Sequence, residues 1–589
     1  MLYRSLNKWD DSAKTPALLY FAQLLEEMLF EYSLDTYKAS VMQTGLLCAE
    51  ALGTITAVEN GTIKAPNVFH VTAELAANFE RDTVAIALAP LPPSSFMPAL
   101  KNPKTSLREL ETVLELLAVQ LSPRKYRKKN EELIIETVKR GGSVAEMRRL
   151  IRSYVTTLTS TGQTTKYIYE KTKEFFHYGP GRITGPDSLT EFFGLFPIDQ
   201  LEYTVIFRVD QIFEHVAPAF DKMRLKITPT PPEGIDLLPY PAISSPALTG
   251  LYASIENVPA RDPYSARDSA ERLLKLSSTL LTLFHHKERP SWVQECVVYD
   301  NKAKTYYPIN APTNSMHKCA DLLQSVASRR LQAFISDFSL EEESFSKFVR
   351  SAQLHALAVG SNADENQILN LWIALESLVP SETKADDVSN IEHIVASLIP
   401  FLNFGYAERL INNLVKDLLE WNRNTTRTAF RSVPGTKFTE KLARILALPE
   451  HAAERKRLED SFKEFHLLKD RFTFFADMLA SPKNVADALD AHKQRLEWQI
   501  RRIYRTRNII VHSGTTPRYT KPLIEHTHDY LDTVLSTLVR LASKPKAIHS
   551  VGQGFKFIEL RYMQYYSALS TKGAAFTSAN VESMAFCRN

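Results

Sequence analysis

The stretch Arg507-Asn508-Ile509-Ile510-Val511-His512, followed at once by Ser513-Gly514, ends a basic segment that holds no glycine or proline over 486–511. Its composition favours helix, and Gly514 stands where a residue able to take the left-handed conformation stops one. At about 100° per residue, Leu496, Ile500, Ile503, Ile510 and Val511 share one stripe, which predicts a face turned to a core. Arg501, Arg505, Asn508 and His512, spaced by four, three and four, make a polar line on another face. Arg507 falls inside the apolar stripe. A guanidinium there is costly to bury unless a carboxylate or carbonyls meet it, or a phosphate comes to it. These features predict a mainly α, multi-domain chain organised around the end of this helix.

The last turn of a helix leaves carbonyls unsatisfied, and that negative end favours an imidazolium at His512. Histidine titrates near neutral pH, so both protonation states are available for acid or base work. Arginine adds a planar fork matched to phosphate oxygens. Together they suit transfer at a phosphodiester: the imidazole activates a ribose 2′-hydroxyl or protonates the leaving oxygen, and the guanidinium stabilises the crowded phosphorus. This chemistry needs no metal and no cofactor. The spacing alone is unspecific, because with 15 histidines about one Arg-x4-His pair is expected by chance. A second pair exists in Arg350 and His355. There a serine follows the arginine and helical sequence runs on past the histidine, so it reads as a decoy.

With Ile503-Tyr504-Arg505 before it and Ser513-Gly514 after it, Arg-Asn-x3-His resembles the signature of the HEPN superfamily, most of all the large bacterial members of anti-phage (abortive infection) defence. Leu371-Trp372-Ile373-Ala374-Leu375-Glu376-Ser377-Leu378 is similar to an early helix of such domains. The likeness covers 340–545, roughly a third of the chain. It implies a C-terminal HEPN-like helical bundle that forms a homodimer or higher oligomer with two motifs facing each other. It implies a metal-independent endoribonuclease, a toxin that cuts RNA by 2′-hydroxyl attack and leaves a 2′,3′-cyclic phosphate and a 5′-hydroxyl. Transfer RNA is the substrate class the resemblance offers, and a phage-derived trigger the partner. On these positions His512 is expected as general acid or base, Arg507 as phosphate ligand, and Asn508 as the amide that orients substrate or histidine. Glu376 is the expected supporting carboxylate for Arg507, and Arg501 and Arg505 the RNA-binding residues along the backbone. The alternative is a non-catalytic HEPN module that binds RNA or nucleotides or regulates a partner; a scaffold in which the motif staples a dimer is weaker.

The rest of the chain is ordinary in composition. Its 589 residues are 44% hydrophobic and 23% charged, and 71 Lys and Arg against 67 Asp and Glu leave a formal charge of +4. So small a charge implies no nucleic acid without local patches. Cys48, Cys296, Cys319 and Cys587 form no Cys-x2-Cys pair, against both a disulfide framework and a thiolate zinc site. A polar N-terminus and the lack of any apolar run of about 20 residues predict no membrane and a cytoplasmic location.

The expected organisation is a mostly helical domain over 1–195, a mixed α/β module over 196–319, the HEPN-like helical domain over 320–569 and a flexible tail over 570–589. Amphipathic helices are predicted over 18–32, 107–121 and 144–158. In the module, strands are predicted over 203–209, 224–228, 248–256 and 292–299, a helix over 265–284, and a proline-rich loop over 229–246. Arg124, Lys125, Arg127, Lys128 and Lys129 around Tyr126 make a candidate basic patch, although such runs are usually solvated faces. Gly179-Pro180-Gly181-Arg182 lacks the ending of a phosphate loop and reads as a turn. His285-His286 face apart on a helix and find no third ligand. Arg423, Arg427 and Arg431, four apart, decorate another helix.

Overall fold

The structure is a computed structural model that describes residues 3–11, 14–30, 42–220, 224–244, 250–317, 322–336, 338–543 and 546–586. The chain is 66% helix and 7% strand, with one small antiparallel sheet of five strands. Among the described residues no single helix is long and apolar enough to cross a membrane.

Core packing does not follow chain order. One core gathers Leu18, Phe21 and Leu25 with the helices up to Phe196, then Leu414, Leu446, Phe472 and Leu489, and finally Leu569 and Phe586. A second gathers Phe348, Leu371, Trp372, Leu398, Ile500, Ile503, Leu531, Leu538 and Ile558. The expected 320–569 stretch contributes to both cores. The helices over 406–489 bury their stripes against the N-terminal helices, and the helices that flank them in sequence close the second core. An apolar stripe marks which face is buried and not which element covers it.

Two expectations are corrected on the described residues. The helix Pro16–Leu29 is buried on nearly every side, Glu26 and Glu27 included. Its glutamates mark ion pairs rather than solvent: Glu26 meets Arg4 at 2.7 Å and lies 3.4 Å from His177 Nε2, and Glu27 faces Arg471 at 3.6 Å. The described part of the expected flexible tail, residues 570–586, is docked rather than loose. Helix Val581–Phe586 sets Ala585 and Phe586 into the first core, and Glu582 accepts from Arg444 Nη2 at 2.8 Å. Cys587 and Cys319 lie outside the described residues, while Cys48 and Cys296 are buried thiols whose pKa burial pushes up to about 12.

The central module contains β1 Leu201–Val209, β2 Leu225–Thr228, β3 Leu251–Ala260, β4 Trp292–Asp300 and β5 Tyr306–Ile309, paired antiparallel in the order β2-β3-β1-β4-β5. Alternate residues of β1 explain its continuous burial. Val205, Phe207 and Val209 pack with Ala266, Ala270 and Leu274 of helix Pro263–Thr282, while Ile206 faces the other way, toward Leu237 and Ile243. The proline-rich segment thus covers the second face of the sheet. β5 escaped the sequence reading because it is an edge strand of four residues that includes Pro308, tolerated only where one side of the strand is unpaired.

A helix of 32 residues, Pro482–Ser513, runs from one helical core to the other. It is about 48 Å long. Val485, Ala486 and Leu489 lie in the first core, and Leu496, Ile500, Ile503 and Ile510 in the second. Between these two sets His492 stacks on Tyr406, ring centroids 3.7 Å apart, with Nδ1 2.6 Å from Asn403 Oδ1. Burial, then the charges of Arg495 and Arg409, push its pKa down to about 3. An unfolded histidine titrates near pH 6.5, so the unfolded chain takes up this proton first. The contribution of neutral His492 is therefore complete above pH 6.5 and is lost as pH falls from there toward 3, at up to about 1.4 kcal/mol per pH unit. Urea midpoints measured from pH 7 to 4 are expected to fall less steeply in His492→Gln than in the wild type.

Candidate functional site

The motif sits at the end of this long helix. Ser481 Oγ caps its start by accepting from Asn484 N at 3.2 Å, and Gly514, at φ 65°, ends it by donating its N–H to Ile510 O. Only a residue without a Cβ takes that φ at no cost, which is why the helix stops where the sequence predicts. Leu496, Ile500, Ile503 and Ile510 are buried as expected, whereas Val511 is 50% exposed. His512 and Ser513 are exposed, and Ser513 Oγ donates to Ile509 O at 2.7 Å.

Arg507 is half-buried. Its Nη1 donates to Asn508 Oδ1 at 2.8 Å, and its Nε is buried with no hydrogen-bond partner. Among the described residues no carboxylate lies within ion-pair distance of it. Asn508 is itself buried, so its amide holds the neighbouring guanidinium; the expected contact with His512 is not made. Glu376 does not support Arg507 either. Its Oε2 accepts from Trp372 Nε1 at 3.1 Å within its own helix, Asp364–Leu378. A contact between the two motif-bearing segments does exist, through the Trp372 and Tyr504 rings at 5.7 Å. None of the motif's residues belongs to a metal-capable group found among the described residues.

The polar line predicted along the helix divides in two. Arg501 forks onto Glu392, with Nε 2.9 Å from Oε1 and Nη2 2.7 Å from Oε2. That hydrogen-bonded fork holds the Glu392 carboxyl below the usual range, and burial followed by Arg501 pushes His70, 3.4 Å from Glu392, down to about 4. Arg505 is 3% exposed and bonds Glu50 Oε1 at 2.7 Å. Both arginines expected along the RNA backbone are thus paired with acids of this chain, and Arg505 is buried.

Arg502, between them, went unnoticed in the sequence. Its Nε lies 3.0 Å from Glu50 Oε2 and its Nη2 2.6 Å from Glu74 Oε2, all three side chains being nearly inaccessible. Burial alone would raise the Glu50 carboxyl, but Arg502 and Arg505 more than offset it and hold it low. Glu74 is raised by burial and by neighbouring Glu50, against the pull of Arg502. Glu50 and Glu74 belong to helices Thr44–Glu59 and Pro66–Phe79, so this buried cluster fastens two N-terminal helices to the motif helix. The one sequence signal for it is a glutamate inside an apolar stripe, as where Glu74 sits between Val71 and Leu75.

In the basic run near 124–129 Tyr126 and Arg127 are buried, while Arg124, Lys125 and Lys128 are exposed. Tyr126 bonds Asp82, Arg127 meets Glu131 and the carbonyls of Phe193 and Phe196, and Arg124 pairs with Asp199. The 179–182 stretch is the expected turn, with Gly181 at φ 84° and Arg182 paired to Asp10. Arg423, Arg427 and Arg431 are exposed on helix Tyr406–Arg431. No known protein family, no characterised protein and no solved structure matches the chain.

Proposed function

We propose that the chain is a metal-independent endoribonuclease of the HEPN type, acting in bacterial anti-phage defence, with Arg507 and His512 as its catalytic pair. The observation that carries this reading is the unmatched guanidinium of Arg507, held in place by Asn508 one turn before an exposed histidine at a helix end. A half-buried cation without an acid is unfavourable by itself, and an incoming phosphate supplies the missing oxygens. The ordinary use of a buried arginine is seen at Arg502 and Arg505, which are matched by acids. In this same helix the contrast sets Arg507 apart.

In the proposed step the ribose 2′-oxygen forms a bond to phosphorus as the bond to the 5′-oxygen breaks. An imidazole takes the 2′ proton, an imidazolium delivers one to the departing oxygen, and the products are a 2′,3′-cyclic phosphate and a 5′-hydroxyl. A second copy of the chain, placed with its helix end opposite, supplies the second imidazole. Arg507 stabilises the charge on the non-bridging oxygens. Transfer RNA is the substrate class to try first. Arg507→Ala is expected to lower cleavage of a transfer RNA pool by about 10²- to 10³-fold, followed as product ends on a denaturing gel. An equal rate in the variant contradicts the assignment and turns the reading to a non-catalytic RNA- or nucleotide-binding module.

A further inference from the structure

The histidine of the discarded Arg-x4-His spacing, His355, lies in a different arrangement. It sits on helix Glu342–Val359, and its Nε2 is 2.8 Å from Nε2 of His528 on helix Thr520–Ala542. One turn beyond His528, at i+4, Asp532 places Oδ2 3.3 Å from His528 Nε2 and Oδ1 3.5 Å from His355 Nε2. The three donor atoms lie within 4.8 Å of one another.

We propose that His355, His528 and Asp532 bind one divalent transition-metal ion of zinc's chemistry and thereby staple the two helices together. Two neutral imidazole nitrogens and a carboxylate make a borderline donor set of the kind such ions take. With metal–ligand bonds of about 2.0–2.1 Å, tetrahedral ligands stand roughly 3.3 Å apart. The two carboxylate separations already match this, and the imidazoles need to open by about 0.5 Å. Three protein donors leave one position for water.

A further observation points to a ligand rather than to a simple polar contact. His528 is 5% exposed, and it turns its Nε2 onto the equivalent nitrogen of His355. If both rings carry their proton on Nε2 the two hydrogens collide, whereas a cation lets both present lone pairs. Helix Glu342–Val359 packs on helix Asp364–Leu378 through Phe348, Ala358 and Ser351, whose Oγ donates to Ala374 O at 3.1 Å. An ion shared with helix Thr520–Ala542 adds a further fixed point.

The inference does not rest on the cleavage reading, and its readout is ion binding. Full-length protein is stripped with a chelator, dialysed and titrated with zinc chloride by calorimetry, alongside Asp532→Asn and His355→Gln. Both substituted side chains are partly solvent-exposed, so the variants are expected to fold, as circular dichroism checks. The proposal expects one zinc ion per chain, a rise in melting midpoint of about 2 °C or more on zinc addition, and about tenfold or greater weakening in each variant. Cobalt substitution is expected to give the visible absorption of a tetrahedral ion, lost in both variants. Zinc uptake that is absent, or identical in wild type and both variants, overturns the proposal and leaves an imidazole pair sharing a proton beside a carboxylate.

Discussion

Glu50→Ala is expected to lower the stability of the junction between the N-terminal helices and the motif helix by about 3–5 kcal/mol. Arg505 has Glu50 as its acid, and Arg502 divides its fork between Glu50 and Glu74. Removing the shared carboxylate leaves positive charge in a site where all these side chains are at most 4% exposed. Taking Arg505 away as well removes the unpaired charge and leaves Arg502 matched by Glu74, so Glu50→Ala combined with Arg505→Leu is expected to recover much of the loss. The urea midpoint reports the size of the effect. Hydrogen exchange reports its place, with faster exchange expected over 44–79 and 496–512. An unchanged midpoint in Glu50→Ala contradicts a stabilising role for the cluster.

His512→Ala is expected to slow RNA cleavage by about 10²- to 10⁴-fold, the usual contribution of a positioned acid or base. The same substitution is expected to leave the unfolding midpoint unchanged within about 0.5 kcal/mol, because His512 is exposed and Gly514 still ends the helix. The pair of readouts separates chemistry from stability. A variant that unfolds early and cuts slowly indicates a capping role at the helix end; one that folds normally and cuts at the wild-type rate removes His512 from the mechanism. In cells the wild type is expected to arrest growth on overexpression and His512→Ala is not.

What the sequence made legible was local. The motif helix, its stop at Gly514, its buried stripe from Leu496 to Ile510 and four of the five strands follow from periodicity, turn residues and capping, which act over a few positions. The partners of charged groups were not legible. Arg501, Arg505 and His512 look equivalent on a helical wheel, yet Glu50 is 455 residues from Arg505 in the chain, and only the fold brings them together. The same limit explains the division of the cores. Nothing in the pattern of 406–489 says that it packs against the N-terminal helices rather than against its neighbours in sequence. It explains the last helix as well, where the small residues of the 570–586 segment suggested looseness, but Phe586 and the Arg444–Glu582 pair dock it. Arg507 was the exception. A cation in an apolar stripe was already anomalous in the sequence, and unlike Arg502 and Arg505 it meets no carboxylate among the described residues.

The most direct test of the central claim, that this helix end cuts RNA through the 2′-hydroxyl without a metal, is the chemistry of the product ends. Transfer RNA is incubated with purified wild-type protein in excess EDTA, and the fragments are read by mass spectrometry. The account predicts fragments ending in 2′,3′-cyclic phosphate with matching 5′-hydroxyl partners, and no cleavage at a site whose 2′-hydroxyl is replaced by hydrogen. Intact RNA, 5′-phosphate ends, or cutting at the 2′-deoxy site contradicts it.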